Sequence, residues 1–200
     1  MCGRYHVDDK MTGEIAGLIR QINRGQGQGL MKTTEGVAGE VCPGKAAPIL
    51  SESNGSIQCV WQYWGFPGYR EKQLIFNARC ESALEKPLFR DCVRSRRVVI
   101  PAARFYEWNP GKEKNSFQRK DKSVLFMAGL SRRYEDGEHF VILTTAANMS
   151  MEPVHDRMPL ILEREEIETW IWDGTKTEDI LHKIPCLLER RSDYEQMSLF

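Results

Sequence analysis

The sequence predicts an α+β fold: a single domain with a largely antiparallel, barrel-like β core and peripheral helices. Three observations carry this. Short apolar segments punctuated by turn residues fill residues 57–145, helical spacing is confined to the two ends, and no repeat or Pro/Gly/Ser-rich linker divides the chain. Its 200 residues suit one domain over 1–200. A chain of that size buries something like ~70% of its unfolded surface.

Behind Thr12, which can cap a helix, Ile15, Leu18, Ile19 and Ile22 recur at helical spacing. Gly25-Gln26-Gly27-Gln28-Gly29 ends that helix in a loop. Cys42-Pro43-Gly44 is a turn, and extended chain begins at Ile49-Leu50. Alternation of Ile57, Cys59, Trp61 and Tyr63 marks a strand to Trp64, closed by Gly65-Phe66-Pro67-Gly68. Val98-Val99-Ile100 and Phe105-Tyr106-Glu107-Trp108 are strand material, and Asn109-Pro110-Gly111 turns the chain toward another strand at 116–119. Segments 123–130 and 139–145, joined at Asp136-Gly137, and 160–162 complete the β run. Helical signals return at 163–172 and, capped by Thr177, at 178–183.

Composition narrows the functional classes. With 41% hydrophobic and 28% charged residues, this is ordinary soluble globular material. Twenty-eight basic residues balance 28 acidic ones, which argues against a charge-driven nucleic-acid binder and leaves room only for a local basic patch. The opening residues carry Arg4, Asp8, Asp9, Lys10 and Glu14 and no apolar stretch, so no export signal and no membrane span are expected, and the chain reads as cytoplasmic. Six scattered cysteines without CxxC or a nearby His pair read as reduced thiols; no metal and no cofactor are expected.

Cys2, directly behind Met1, carries the most chemistry. If Met1 is removed, Cys2 presents a free α-amine and a thiol on adjacent carbons. Such groups ordinarily titrate near ~7.7–8.0 and ~8.5, so both are partly reactive at neutral pH. A 1,2-aminothiol forms an imine with an aldehyde and then closes a thiazolidine ring. The bland alternative is the second residue of a buried N-terminal strand.

Three polar sets stand in apolar or turn-forming surroundings. In Asn77-Ala78-Arg79-Cys80-Glu81, Asn77 either caps a helix or hydrogen-bonds a nucleophile, while Arg79 can grip an anion. Glu107, among Phe105, Tyr106 and Trp108, lies either on the solvent side of a strand or buried, where a carboxyl suits acid–base work near neutrality. In Val154-His155-Asp156-Arg157-Met158-Pro159, His155 is a proton-transfer candidate or a satisfied structural histidine, and Arg157 binds phosphate or pairs with Asp156. The basic residues Arg90, Arg94, Arg96 and Arg97 read as a solvated face. Trp61, Tyr63, Trp64 and Phe66 form either a base-stacking surface or core.

Met1-Cys2-Gly3-Arg4-Tyr5, Asn77-Ala78-Arg79-Cys80-Glu81-Ser82, Ile100-Pro101 with Phe105-Tyr106-Glu107-Trp108, and Val154-His155-Asp156-Arg157-Met158-Pro159 occur in this order. Together they resemble the SRAP family, abasic-site processing proteins that crosslink to damaged single-stranded DNA. The resemblance implies a single-strand channel in which Cys2 traps the ring-opened sugar aldehyde as a thiazolidine. It implies catalytic roles for Cys2, Asn77, Glu107 and His155, with Arg4, Trp64, Arg79 and Arg157 touching DNA. The implied partner is single-stranded DNA containing abasic sites, the implied state a monomer, nucleoid-associated when bound. Lyase, self-reversal and peptidase-like self-processing belong to the same expectation. Departures are Tyr5 where Phe is commoner, Glu40-Val41-Cys42-Pro43-Gly44 in place of an Asn-Val-Ala-Pro pattern, Arg104 where a small residue is common, and Tyr69 in place of a second tryptophan. Two other classes fit parts of the pattern: an N-terminal-nucleophile cysteine amidohydrolase or peptidase using Cys2 and His155, and a noncatalytic single-strand binding module.

Overall fold

The computed structural model describes residues 2–23 and 38–192; Met1 and the glycine-rich loop expected at 25–29 lie outside the described residues. Strand β1 (Tyr5–Val7) leads into helix α1 (Met11–Ile22), followed by β2 (Gly39–Val41), β3 (Ala46–Ser53) and β4 (Ser56–Trp64). A short pair, β5 (Phe66–Pro67) and β6 (Leu74–Ile75), precedes β7 (Asn77–Arg79), α2 (Cys80–Ala83) and α3 (Arg90–Ser95). Then come β8 (Arg97–Ala102), β9 (Arg104–Trp108), β10 (Lys114–Gln118), β11 (Leu125–Tyr134), β12 (Gly137–Ala146), β13 (Arg157–Pro159) and β14 (Ile161–Leu162). Helices α4 (Glu166–Trp172) and α5 (Thr177–Leu181) and strand β15 (Glu189–Ser192) end the described chain.

The core is a closed ring of five strands. Strand β12 pairs β4, β4 pairs β3, β3 pairs β8, β8 pairs β11, and β11 returns to β12. Every seam is antiparallel except β12–β4, where His139 faces Tyr63 and Phe140 faces Trp64 in parallel register. Closure leaves this core without an unpaired edge. A second antiparallel sheet, in the order β15-β10-β9-β1-β2, packs beside it and holds the N-terminal strand in its interior. This is the α+β fold with a barrel-like antiparallel core that the patterning predicts.

Closure demands small residues where strands crowd. A methyl group on Gly129, in β11, would lie 2.3 Å from Ile100 Cδ1 and 2.7 Å from the Val141 carbonyl oxygen. The backbone at that point admits glycine alone. Strand β3 turns into β4 through Asn54 and Gly55, both at positive φ, the pairing that suits a two-residue hairpin.

Several local expectations change on folding. Helix α1 starts at Met11, one residue before Thr12, and the preceding turn is held by the Asp8 carboxylate, which accepts the Lys10 N–H at 2.9 Å. Helix α5 likewise begins at Thr177 itself. The alternation in β4 switches sides. Ile57 and Cys59 are buried where α1 reaches the strand and Asn23 bonds both backbone groups of Ile57, whereas Trp61 and Tyr63 are about two-fifths exposed. Beyond that cover, Gln62 and Trp64 on the opposite face become the buried residues. The basic run starts as α3, with Arg90 and Arg94 exposed on it and Arg96 exposed just beyond its end, but Arg97 is buried and donates to the carbonyls of Val93, Arg94, Trp170 and Ile171.

Gly129→Ala therefore lowers stability by ~1–3 kcal/mol through overpacking. A urea melt should show a lower midpoint at unchanged slope; an unaltered midpoint would mean that the strands there can part without cost.

Candidate functional site

The site is assembled on the N-terminal strand. Tyr5 pairs with Phe105 and His6 with Arg104, and the Tyr106 N–H donates to the Arg4 carbonyl at 2.9 Å. This ladder lays the first residues of the chain along β9, the strand that carries Glu107. Glu107 is 5% exposed, so the buried alternative is the one the fold adopts. Asn115 faces it across the β9–β10 ladder.

Cys2 is fully buried, and its thiol lies 3.8 Å from the Arg4 carbonyl oxygen. Burial first, and then the negative charge of Glu107, push that thiol far above the ordinary cysteine range. The backbone carbonyl of Cys2 accepts a hydrogen bond from Asn77 Nδ2 at 3.0 Å. Asn77 is therefore no helix cap. It opens β7, which pairs in parallel with β12, Ile142 opposite Asn77, and helix α2 begins only at Cys80. Asn77 Oδ1 is buried with no hydrogen-bond partner among the described residues, an acceptor left over beside Cys2. The Tyr5 hydroxyl is another buried group without a partner there, and burial followed by the charge of Cys2 raises its pKa.

Strand β12 organises the remainder. Its first half lies in the barrel; its second half is flanked by β7 on one edge and β13 on the other, so that Thr144 faces both Arg79 and Pro159. His155 sits immediately before β13, about a quarter exposed. Its Nδ1 accepts the Arg157 N–H at 2.9 Å and lies 2.8 Å from Asp156 Oδ1. Towards the Arg157 N–H, Nδ1 acts as an acceptor.

The four arginine and tryptophan candidates separate. Arg79 is exposed and makes no ion pair or hydrogen bond through its side chain among the described residues. Arg4 pairs with Glu40 at 2.9 Å, its guanidinium 5.5 Å from the centre of the Trp108 ring, and remains two-fifths exposed. Arg157 departs from expectation. It is nearly buried, holds both oxygens of Glu81 at 2.5 and 2.8 Å, and donates to the Thr144 carbonyl at 2.6 Å. Its charge is spent on tying β13 to α2, not on an external phosphate. Trp64 also departs: it is fully buried, donates Nε1–H to the Phe76 carbonyl at 2.9 Å, stacks on Phe140 and meets Tyr5 at a tilt. No base can reach it, and of the two readings the core one holds.

Sequence reasoning missed the surface beside Asn77. An open groove of about 400 Å³ is lined by Tyr69, Ile75, Asn77, Ala78, Arg79, Lys86, Pro87, Leu88 and Phe89. Tyr69 is 96% exposed there. The signal available was Tyr69-Arg70 following the Pro67-Gly68 turn, an aromatic on a loop tip. Among the described residues, no three His, Cys, Asp or Glu side chains converge to hold a metal ion, and no helix is long and apolar enough to cross a membrane.

Comparison with known proteins places this geometry. The family model described as SOS response associated peptidase (SRAP) matches residues 1–198. The chain belongs to the SRAP family. Among its relatives, the abasic site processing protein YedK of Escherichia coli (strain K12) is 29% identical over 180 residues, covering 86% of this chain and 79% of that protein. The abasic site processing protein YoqW of Bacillus subtilis (strain 168) is 28% identical over 198 residues, covering 92% and 86%. A crystal structure of a protein from Bordetella bronchiseptica shares the fold with a TM-score of 0.74 at 22% identity, over 96% of this chain and 99% of that one. One from Bacteroides thetaiotaomicron gives 0.72 at 21%, over 96% and 91%.

Buried thiols set a pH limit on this fold. Cys59 is pushed up to about 11 and Cys80 to about 12, both chiefly by burial. Below the ordinary thiol range, folded and unfolded chains are equally protonated and stability is unaffected. Above about pH 9 the unfolded thiols ionise first, so the unfolded chain binds fewer protons and stability falls as pH rises. Thermal melts should decline from pH 9 upward, and Cys80→Ala should flatten the decline; an identical slope would show that Cys80 ionises freely in the folded protein.

Proposed function

We propose that this protein processes abasic sites in single-stranded DNA by bonding covalently to the lesion through Cys2. The observation that carries the proposal is the convergence at Cys2: Asn77 holds its carbonyl, and the negative charge of the buried Glu107 carboxylate raises the pKa of its thiol. The shared family and the names of the relatives support the same substrate.

The chemistry starts with loss of Met1, which converts the Cys2 amide nitrogen into an amine. That amine adds to the aldehyde carbon of the ring-opened deoxyribose, and the carbinolamine sheds water to give an imine. The thiol then adds to the imine carbon and closes a thiazolidine, so aldehyde and aminothiol become ring and one water. A buried thiol stays protonated at neutral pH, so its proton must leave as sulfur attacks. Glu107 takes that proton, and by the reverse transfer it helps the carbinolamine oxygen depart as water. The unpartnered Asn77 Oδ1 is placed to accept from the new amine, and His155 assists proton transfer at the sugar oxygen. Arg79 and Arg4 contact phosphates, the first from the groove lined by Tyr69 and Phe89, where aromatic faces offer unpaired bases a stacking surface. Arg157 and Trp64 serve as framework.

Intact-mass analysis after incubation with abasic single-stranded DNA tests the reading. A stable adduct at the mass of protein without Met1 plus DNA, less one water, is expected. Cys2→Ser should abolish it while leaving noncovalent binding, and a bulky residue inserted between Met1 and Cys2 should do the same. Hydrolysis of peptide or amide substrates without any adduct would instead favour the amidohydrolase or peptidase alternative.

Glu107→Gln keeps shape and hydrogen bonding but cannot exchange the proton. Crosslinking should slow by ~10²-fold, and reversal with it. Wild-type rates in this variant from pH 5 to 8 would remove Glu107 from the mechanism.

A further inference from the structure

A second cleft lies at the other end of β9 from Glu107. It encloses about 340 Å³ between the start of α1, the β8–β9 corner, the β10–β11 turn and β15. Lys10, Arg104, Lys122 and Arg191 line it, with Asp8 and Glu14 as its acids. The acids are engaged. Asp8 accepts the Lys10 N–H at 2.9 Å, and Glu14 accepts the Val124 N–H at 3.2 Å with Arg164 3.9 Å away. Arg191 pairs with Glu189 at 3.0 Å. Lys10, Arg104 and Lys122 have no ion pair among the described residues. In a chain with no net charge, three unpaired cations in one concavity form a local positive field. His6, the register partner of Arg104, has its pKa lowered by burial and then by the Arg104 charge, with Asp8 and Glu40 opposing.

The cleft lies beyond the far end of the N-terminal strand, past the residues that follow Cys2. Arg4 and His6 follow one another on the N-terminal strand about 7 Å apart, and His6 is paired with Arg104. Between them lie Arg4 against Trp108 and Lys114 against Tyr106, both cations shared with Glu40. Asn77, bonded to the Cys2 carbonyl, lines the Tyr69 groove, and Arg4, whose carbonyl lies 3.8 Å from the Cys2 thiol, begins this stretch.

We propose that the Lys10–Arg104–Lys122 cleft binds a phosphodiester of a nucleic-acid strand that runs from the candidate site along the outer face of the second sheet. The assignment rests on the reading that single-stranded DNA passes Cys2. Binding there adds affinity for the flanking strand and leaves the chemistry at Cys2 untouched.

The test uses the full chain and undamaged single strands of two lengths, one spanning only the Cys2 region and one extended at both ends, with anisotropy read against salt. The double variant Arg104→Ala/Lys122→Ala should match wild type on the short strand. On the extended strand it should bind more weakly, with a log–log salt slope shallower by ~0.7 for each phosphate lost. Equal affinity and slope on the extended strand would overturn the proposal. Inorganic phosphate, followed by amide shifts at Lys10 and Lys122, separates the sources: phosphate binding without any effect on the extended strand makes this a free-anion site and also overturns the strand assignment. Adduct formation on a short abasic strand is measured in parallel and should be unchanged in the double variant. If wild type forms no adduct but the extended-strand difference persists, the crosslinking reading fails and the cleft assignment stands.

Discussion

The position of Cys2 depends on one constraint, the capture of a three-residue strand between two partners. Strand β1 is too short to persist alone. Here β2 pairs one edge and β9 the other, and Tyr5 sinks against Trp64 with ring centres 5.1 Å apart. Fully burying a large apolar side chain contributes roughly 1.5–3 kcal/mol, so Tyr5 and Val7 supply anchorage that the few ladder bonds of β1 cannot. The residues ahead of Tyr5 then have little choice of place: the Arg4 carbonyl is bonded to Tyr106 and the Cys2 carbonyl to Asn77. Trp64, read from sequence as either core or a stacking surface, is the floor on which the N-terminal strand rests.

The same economy governs β12. One ten-residue strand closes the barrel with its first half and presents β7 and β13 on opposite edges of its second half. Asn77 and His155, far apart in the chain, belong to segments that flank opposite edges of this one strand. Arg157 locks the arrangement by joining Glu81 to the Thr144 carbonyl, which makes it a brace between α2, β12 and β13. A guanidinium with both forks occupied in a nearly buried place is costly to free, since a carboxylate would be left behind without its partner.

Two regions flank Cys2 with different chemistry. The groove at Tyr69 is apolar and aromatic with Arg79 and Lys86 at its rim, suited to bases. The cleft at Arg104 is polar and cationic, suited to phosphate. Arg104 belongs to the second and lies three residues before the buried Glu107 along β9.

By itself the sequence determined the local periodicities, the turns at Cys42-Pro43-Gly44 and Asn109-Pro110-Gly111, the β11–β12 turn to within a residue, and a short list of candidate site residues. These are properties of neighbours in the chain, where apolar spacing and backbone preference act within a few residues. It placed the helices α1, α4 and α5 towards the two ends, but not α2 and α3 in the middle of the chain. Burial and partnership were decided only by tertiary structure. Whether Glu107 faced solvent, whether Asn77 capped a helix, and whether Arg157 was available to an anion each depended on groups remote in sequence: the N-terminal strand, Cys2 and Glu81. The face on which β4 buries its side chains depended likewise on where α1 ends. A side chain's chemistry is written in its type, but its charge state, access and hydrogen-bond capacity are set by what the fold packs against it.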